Sequence, residues 1–444
     1  MADKNAEVAV EDNGGMKKTL SLWNFFTIGF GAIIGTGWVL QVGDWMVVGG
    51  GPVPAMIAFL LGAIFLVPVG AVFGELTAAI PISTLVSEMF GSLPGLEWLR
   101  AVKLYTILGA DVYLFPTLIA LGFAAYVIFL NFRGASSAAK LQAFLTKALL
   151  CGMLLAMGVS LFTGSPDNAM PVFSQVTGAG GGKAATEGTS LFAGIVSVLV
   201  LTPFFYAGFD TIPQQAEEAA EGLNWNKFGK IISLALLAAG GFYMVCIYSF
   251  GTILDWHEFV KSPVPALACL KGINMLLYLA MLVIATLGPM GPMNSFYGAT
   301  SRIMLAMGRK GQLPEKFAEV DPKSGAPKLA CVVLGVITVI GPFLGKNMLI
   351  PLTNVSALAF IFSCGMVALA CLRMRFTEPD LPRPYEVPGG KFGIGLAIAA
   401  CAIIIGLLVI PFSPASLNMV EWSIVIGWLA IGLALMAFTN SRKK

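Results

Sequence analysis

Charge is scarce in this sequence. Lys, Arg, Asp and Glu make up 11% of its 444 residues, less than half the roughly 25% of an ordinary soluble protein. The deficit runs from end to end, which excludes a water-soluble enzyme on one apolar anchor, a disordered chain and a coiled coil. Histidine is scarcer still, with the single residue His257 in a short polar joint. There is no His-Glu-x-x-His, no Gly-x-Ser-x-Gly and no Walker loop, so metal-assisted hydrolysis, serine hydrolysis and nucleotide chemistry lack their motifs. The seven cysteines (151, 246, 269, 331, 364, 371 and 401) form no Cys-x-x-Cys and mostly lie inside apolar runs. They read as small packing residues, not as a zinc site or disulfide frame. With 27 Lys and Arg against 24 Asp and Glu, no basic patch is dense enough for nucleic acid. The opening MADKNAEVAVEDNGGMKK has no apolar core or small-residue cleavage site, so it does not read as a secretory signal.

What the sequence does have is apolar length. Hydrophobic residues make up 57% of it, and the mean hydropathy is +0.84. About 20 apolar residues cross a bilayer as a helix. Candidate spans fall at about 21–48, 54–80, 98–131, 136–163, 190–217, 228–254, 266–307, 328–346, 349–372, 392–412 and 421–440. Runs this continuous predict an all-α polytopic membrane protein, not a barrel. The polar joints between them are too short for a second domain, so residues 1–444 read as one unit embedded in lipid. Cytoplasmic loops accumulate Lys and Arg. Placing both termini and the joints near 133, 227, 309 and 383 inside leaves only Arg100, Lys103, Lys183, Lys261, Lys271 and Lys346 outside, with Lys147 in a span.

That orientation requires a crossing the chain does not supply. Spans 21–48 and 54–80 return an inside N-terminus to the inside, yet span 98–131 must begin outside. The stretch between them, Ile80–Gly95, is interrupted by Pro81 and Pro94 and carries Glu88.

Two spans are interrupted in the same way. The first reads Phe30-Gly31-Ala32-Ile33-Ile34-Gly35-Thr36-Gly37-Trp38, and the second Phe204-Phe205-Tyr206-Ala207-Gly208-Phe209-Asp210-Thr211-Ile212-Pro213. Glycine costs roughly 0.5–1 kcal/mol in a helix interior relative to alanine, and free backbone at membrane depth survives only against protein or a cavity. Paired broken helices are the sequence pointer to a carrier site. Half-helix N-termini suit a carboxylate and carbonyl ends suit an ammonium. For the first segment alone, close packing through Gly31-x-x-x-Gly35 is the competing reading.

Gly31-Ala-Ile-Ile-Gly-Thr-Gly37, then Phe205-Tyr-Ala-Gly-Phe-Asp210 followed by Ala216-Glu217-Glu218, resembles the amino acid–polyamine–organocation permeases. So do Asn131-Phe132-Arg133-Gly134 and Ser301-Arg302…Arg309-Lys310-Gly311-Gln312-Leu313-Pro314. The resemblance implies a LeuT-type fold, with two inverted five-helix repeats and two further helices. Here these would be residues 20–163 (incomplete), 190–372 and 392–440. It implies a cofactor-free secondary transporter in the cell membrane, moving a small amino acid or an amine by alternating access. Gly35, Thr36 and Gly37 would receive the carboxylate, and Ile33 and Ile34 the ammonium. Phe204 would be an aromatic gate, with Ala207, Phe209 and Asp210 lining the break and Met293 and Asn294 facing the substrate side chain. Asp210 could equally cap the second half-helix.

Lys147, mid-span, either snorkels or, following the resemblance, stands where related carriers hold sodium and links the first helix to the fifth. In the second case uptake would be sodium-independent, by proton symport or exchange. Relatives have a Pro-x-x-Gly-Gly-x-x-Tyr stretch and a third helix after the second span. Roughly 40–50 family residues are therefore expected to be absent around Pro81, since 98–131 cannot cross twice at about 20 residues each. Asp111 reads as a pair partner or a buried acid, Glu75 as a solvated or gating helix end, and Arg302 as a gate or snorkelling residue.

Overall fold

The computed structural model describes residues 18–35, 37–66, 97–107, 110–176, 190–262, 264–344, 348–380, 386–411, 413 and 416–442. Among them, eight helices are long and apolar enough to span a membrane, or nine when one sharply bent pair is included. Glu75 and the stretch around Pro81, where the sequence pattern points to a missing helix, lie outside the described residues.

Helix α1 (Leu22–Ile33) opens on Ser21, whose hydroxyl accepts from the Asn24 N–H while Asn24 Oδ1 accepts from the Ser21 N–H. This reciprocal box satisfies two donors that a helix start would otherwise orphan. The helix stops at Ile33 and resumes as α2 (Gly37–Leu40) and α3 (Val42–Gly49). From there the chain turns through 102° into α4 (Pro52–Leu66).

Residues 97–113 do not join the expected 98–131 span. A 3-10 turn at Glu97–Arg100 leads into strand β1 (Lys103–Ile107), antiparallel to β2 (Ala110–Tyr113), and only then does α5 (Leu114–Phe132) begin. The cause is polar. Asp111 pairs with Lys103 at 2.6 Å and accepts from the Thr106 hydroxyl at 2.7 Å, an arrangement that two strands supply and hydrocarbon would penalise. The Lys103 and Thr106 donors hold the Asp111 carboxyl below its ordinary range. Asp111 is therefore a pair partner outside the membrane segment, not an acid within a span.

Then come α6 (Ala135–Thr163) and three helical pieces, α7 (Leu191–Leu199), α8 (Thr202–Tyr206) and α9 (Thr211–Gln214), where a single broken span is expected. Next are α10 (Trp225–Ile253) and the short α11 (Trp256–Phe259). The expected 266–307 span divides into α12 (Pro265–Ile273), α13 (Met275–Leu287) and α14 (Met290–Arg309). Asn274 makes the first division, its Oδ1 accepting from the Leu276 and Leu277 N–H groups at 2.8 and 3.1 Å. Helices α15 (Lys328–Ile340), α16 (Leu349–Thr377), α17 (Gly390–Val409) and α18 (Met419–Arg442) complete the chain.

The core is organised around α1, which is buried from Thr27 to Ile33 and packs against α6, α9, α10 and α14. At the other extreme, α18 leaves most of its apolar surface uncovered, as a lipid-facing helix does. It is tied to α16 by buried Glu421, which accepts from Asn354 Nδ2 at 2.7 Å.

Candidate functional site

The two interruptions meet. Gly208 has a backbone φ of 133°, and a Cβ there would lie 2.6 Å from the Ile33 nitrogen and 2.7 Å from the Ala32 carbonyl carbon. Only glycine accepts both the conformation and the contact. One phenol serves both carbonyl ends, the Tyr243 hydroxyl lying 3.1 Å from Ile33 O and 3.2 Å from Phe205 O. The breaks at Ile34–Thr36 and Ala207–Asp210 therefore form a single locus. Ile33, Ile34, Ala207, Phe209 and Asp210 are buried in or beside it. Thr36 lies outside the described residues.

Asp210 divides its bonds across the break. Oδ1 accepts from the Gly208 N–H at 2.8 Å, and Oδ2 from Gln214 Nε2 at 2.9 Å. It makes no side-chain cap on α9. Its carboxylate fixes the shape of the interruption.

The ring facing the first break is Phe205, not Phe204. A Cβ on Gly37 would lie 3.4 Å from Phe205 and 3.7 Å from Trp45 Cζ2, whereas Phe204 is half-buried and stands edge-on to Phe205. Trp45, Phe59, Phe205 and Tyr243 form one aromatic cluster beside the breaks.

Helix α14 turns a different face from the one expected. Pro292 reaches the break, 2.9 Å from where a Gly35 Cβ would stand. Met293 packs with Ala120, Ala124, Val127 and Leu145 of α5 and α6. Asn294 joins a buried amide network, in which its Nδ2 donates to Gln142 Oε1 and Ala138 O at 3.0 Å each and its Oδ1 accepts from Asn131 at 3.0 Å. At 100° per residue, Pro292 on the break face turns Met293 and Asn294 toward α5 and α6. They are scaffold contacts, and the structure does not bring them to the break.

Lys147 is also elsewhere. The face of α6 toward α1 carries Gln142 and Thr146, which donate to Thr27 O at 3.5 and 3.2 Å. Gly31 permits this approach, since a Cβ there would fall 2.2 Å from Thr146 Oγ1. Lys147 is exposed on the outward stripe with Phe144, Cys151 and Leu154, so the expected link to the first helix is made by two neutral side chains instead. The signal in the sequence is an i, i+4 polar pair in an apolar helix, beside the more conspicuous charge. Lys147→Ala is accordingly expected to leave transport within about twofold of the parent, in keeping with a surface substitution worth about 0.5 kcal/mol or less. Gln142→Leu should lose most of it. Uptake into vesicles by the two variants decides this.

One helical turn and more beyond the breaks, α14 is pinned to the segment after α9. Arg302 and Glu218 form a buried pair, Nη2 to Oε1 at 2.8 Å and Nε to Oε2 at 3.2 Å. The Glu218 carbonyl accepts from the Thr19 and Leu20 N–H groups at 2.9 Å each, so the segment leading into α1 is tied in as well. Arg309 and Glu217 pair at 2.9 Å nearer the surface. Arg302 is thus held by a buried carboxylate, away from the breaks.

The family model for amino acid permeases matches residues 20–436. The chain is similar to a branched-chain amino acid permease of Bacillus subtilis (strain 168), 24% identical over 473 aligned positions that take in 96% of this chain and 94% of the relative. An aspartate–proton symporter of the same organism is 27% identical over 422 positions, covering 85% of this chain and 76% of that one. A methylthioribose transporter, also from it, is 24% identical over 470 positions, covering 96% and 94%. Alignments of 473 and 470 positions exceed the chain's 444 residues, so these two relatives carry residues without counterparts here. Two interrupted helices that meet at their breaks, in a chain whose described residues are mostly helical and which the family model matches almost throughout, identify a multi-pass membrane protein of the amino acid permease family, within the amino acid–polyamine–organocation superfamily.

Proposed function

We propose that this protein is a secondary carrier that moves a small neutral amino acid by alternating access. The observation that carries the reading is the contact of the two breaks, where Gly208 sits on the Ala32–Ile33 backbone and Tyr243 serves both carbonyl ends. On substrate binding the amides of Gly35, Thr36 and Gly37 would receive the carboxylate, the Gly35 N–H leaving Ile33 O, which it meets at 3.2 Å, and the carbonyl ends of α1 and α8 would offer the ammonium the lone pairs that Tyr243 does not use. A zwitterion needs no charged side chain there. A polyamine needs further anionic groups, and Asp210 already accepts from Gly208 and Gln214. The named relatives span a branched-chain amino acid permease, an aspartate–proton symporter and a methylthioribose transporter, so membership alone does not select the substrate.

Sodium independence rests on neutral donors. Gln142 and Thr146 engage Thr27 O, and Ser295 Oγ donates to Ile28 O at 3.1 Å. Thr27 O, held by two such donors, has no lone pair left for a sodium ion. Residues 20–163 and 190–372 would be the two inverted repeats, the first short of one helix, with 392–440 the accessory pair. Both termini would be cytoplasmic, with the Arg302–Glu218 closure on the inner side. Counterflow of labelled amino acid into preloaded proteoliposomes, unaltered when choline replaces sodium, is the expected result. Absence of counterflow for every amino acid tested overturns the carrier reading.

A further inference from the structure

Three amide side chains form a directed chain of hydrogen bonds that ends in an unused acceptor. Gln142 Nε2 donates to Thr27 O, Asn294 Nδ2 to Gln142 Oε1, and Asn131 Nδ2 to Asn294 Oδ1. Flipping any one amide would set oxygen against oxygen, and Asn131 Nδ2 is further fixed by Val127 O at 3.0 Å. The orientation is therefore determined, and it leaves Asn131 Oδ1 fully buried with no donor among the described residues.

That oxygen lies over Gly298. A Cβ on Gly298 would stand 3.5 Å from Asn131 Oδ1 and 3.3 Å from Gln215 Oε1. Gln215 is itself held, its Nε2 donating to Thr211 O at 3.3 Å. Two amide oxygens from separate elements, α5 and the end of α9, thus converge on the space above a glycine of α14. Asn131 Oδ1 requires a donor, and Gln215 Oε1 is an acceptor within reach of the same point. A cation is a poor occupant, because Arg302 donates to Gly298 O at 3.2 Å and its buried partner, Glu218, is already engaged by two of its nitrogens. A neutral ligand with two O–H donors fits the charge.

We propose that Asn131 Oδ1 and Gln215 Oε1 hold one ordered water molecule over Gly298, and that this water seals the seam between α5 and the end of α9 where both pack on α14. It stands one helical turn from the Arg302–Glu218 pair, which ties α14 to the same stretch beyond α9. Every side chain from Thr27 to Gln215 is then satisfied in one continuous network. The seam closes as a polar unit, and it opens only by separating Gln215 from the water or the water from Asn131.

The test compares Gly298→Ala with Gly298→Ser. Alanine puts a methyl group against both oxygens, whereas serine supplies a hydroxyl donor in the water's place. Seam opening is read from alkylation of Cys331, buried behind Tyr297, by peptide-level mass spectrometry. Leaving buried acceptors unpaired should speed labelling by about tenfold or more in Gly298→Ala, while Gly298→Ser stays near the parent although serine is larger. Equal labelling of the two variants, or faster labelling of the serine variant, overturns the proposal. Slower labelling of the parent in sodium than in choline, lost in Gly298→Ala, overturns it in favour of a cation. Should neither variant fold, a map of the parent that resolves other buried waters must show a peak at about 2.8 Å from both oxygens. Its absence there overturns the proposal equally.

Discussion

Gly37→Val is expected to abolish substrate binding while expression and helix content stay near those of the parent. A Cβ at Gly37 meets Phe205 at 3.4 Å and Trp45 at 3.7 Å, so the two further methyls of valine press into the aromatic cluster and over the break. Overpacking of this kind costs about 1–3 kcal/mol, which a well-buried helical core tolerates. Binding suffers more. Hydrogen bonds to a charged group are worth about 1.5–3 kcal/mol each, and obstructing two amides should weaken affinity by roughly 100-fold or more. Gly158→Val is the control, because nothing lies within 4 Å of its Cβ position. Titration of purified protein with substrate reads the difference. Unchanged affinity in Gly37→Val would remove the carboxylate from the first break.

Arg302→Met should be among the most destabilising single substitutions in the chain. The side chains of Arg302 and Glu218 are 4% and 1% exposed. Removing one member of such a pair leaves an uncompensated buried charge, at a cost of about 3–5 kcal/mol. Replacing both, as Arg302→Met with Glu218→Leu, should restore much of the thermal stability, since well-packed apolar pairs substitute for buried ion pairs at little cost. Transport should remain impaired, because the apolar pair cannot hold and release the seam as the ion pair does. By contrast, Arg309–Glu217 is 39% and 45% exposed, and its loss should cost about 0–1 kcal/mol. Melting temperatures of the single and double variants decide the matter, and a double variant no more stable than Arg302→Met would contradict it.

The two breaks were legible because glycine and proline both oppose a continuous helix, so their clustering in an apolar run marks an interruption. Residues that serve the breaks were less so. Tyr243 sits in an unbroken stretch of α10, and nothing local marks its hydroxyl as the group that joins Ile33 O to Phe205 O. Phe204 and Phe205 are adjacent aromatics, and only helix phase, which the break itself resets, decides which ring faces Gly37. The phase of α14 is hidden in the same way, since the face toward the break is set by Pro292 meeting Gly35, with Met293 and Asn294 turned from it. Lys147 shows the opposite case. A mid-span charge is conspicuous in sequence, yet the side chains that reach α1 are the neutral Gln142 and Thr146. The strands at 103–113 were hidden because Leu104, Tyr105, Ile107 and Val112 suit a strand as well as a membrane helix, and the pairing of Asp111 with Lys103 appears only once they fold.

The backbone cradle is exposed most directly by comparing three ligands on the unmodified protein. The set comprises a transported amino acid, the amine left by removing its carboxylate, and the acid left by removing its ammonium. A ligand stabilises a protein by RT ln(1+[L]/Kd), so thermal shifts at matched concentrations rank the affinities. If amides at the first break hold one end of the substrate and the carbonyl ends at both breaks hold the other, only the complete amino acid should raise the melting temperature. The two truncated molecules should be weaker by roughly 100-fold, about 2.8 kcal/mol. An amine that stabilises the protein as well as the amino acid does would contradict the account and establish an amine permease instead.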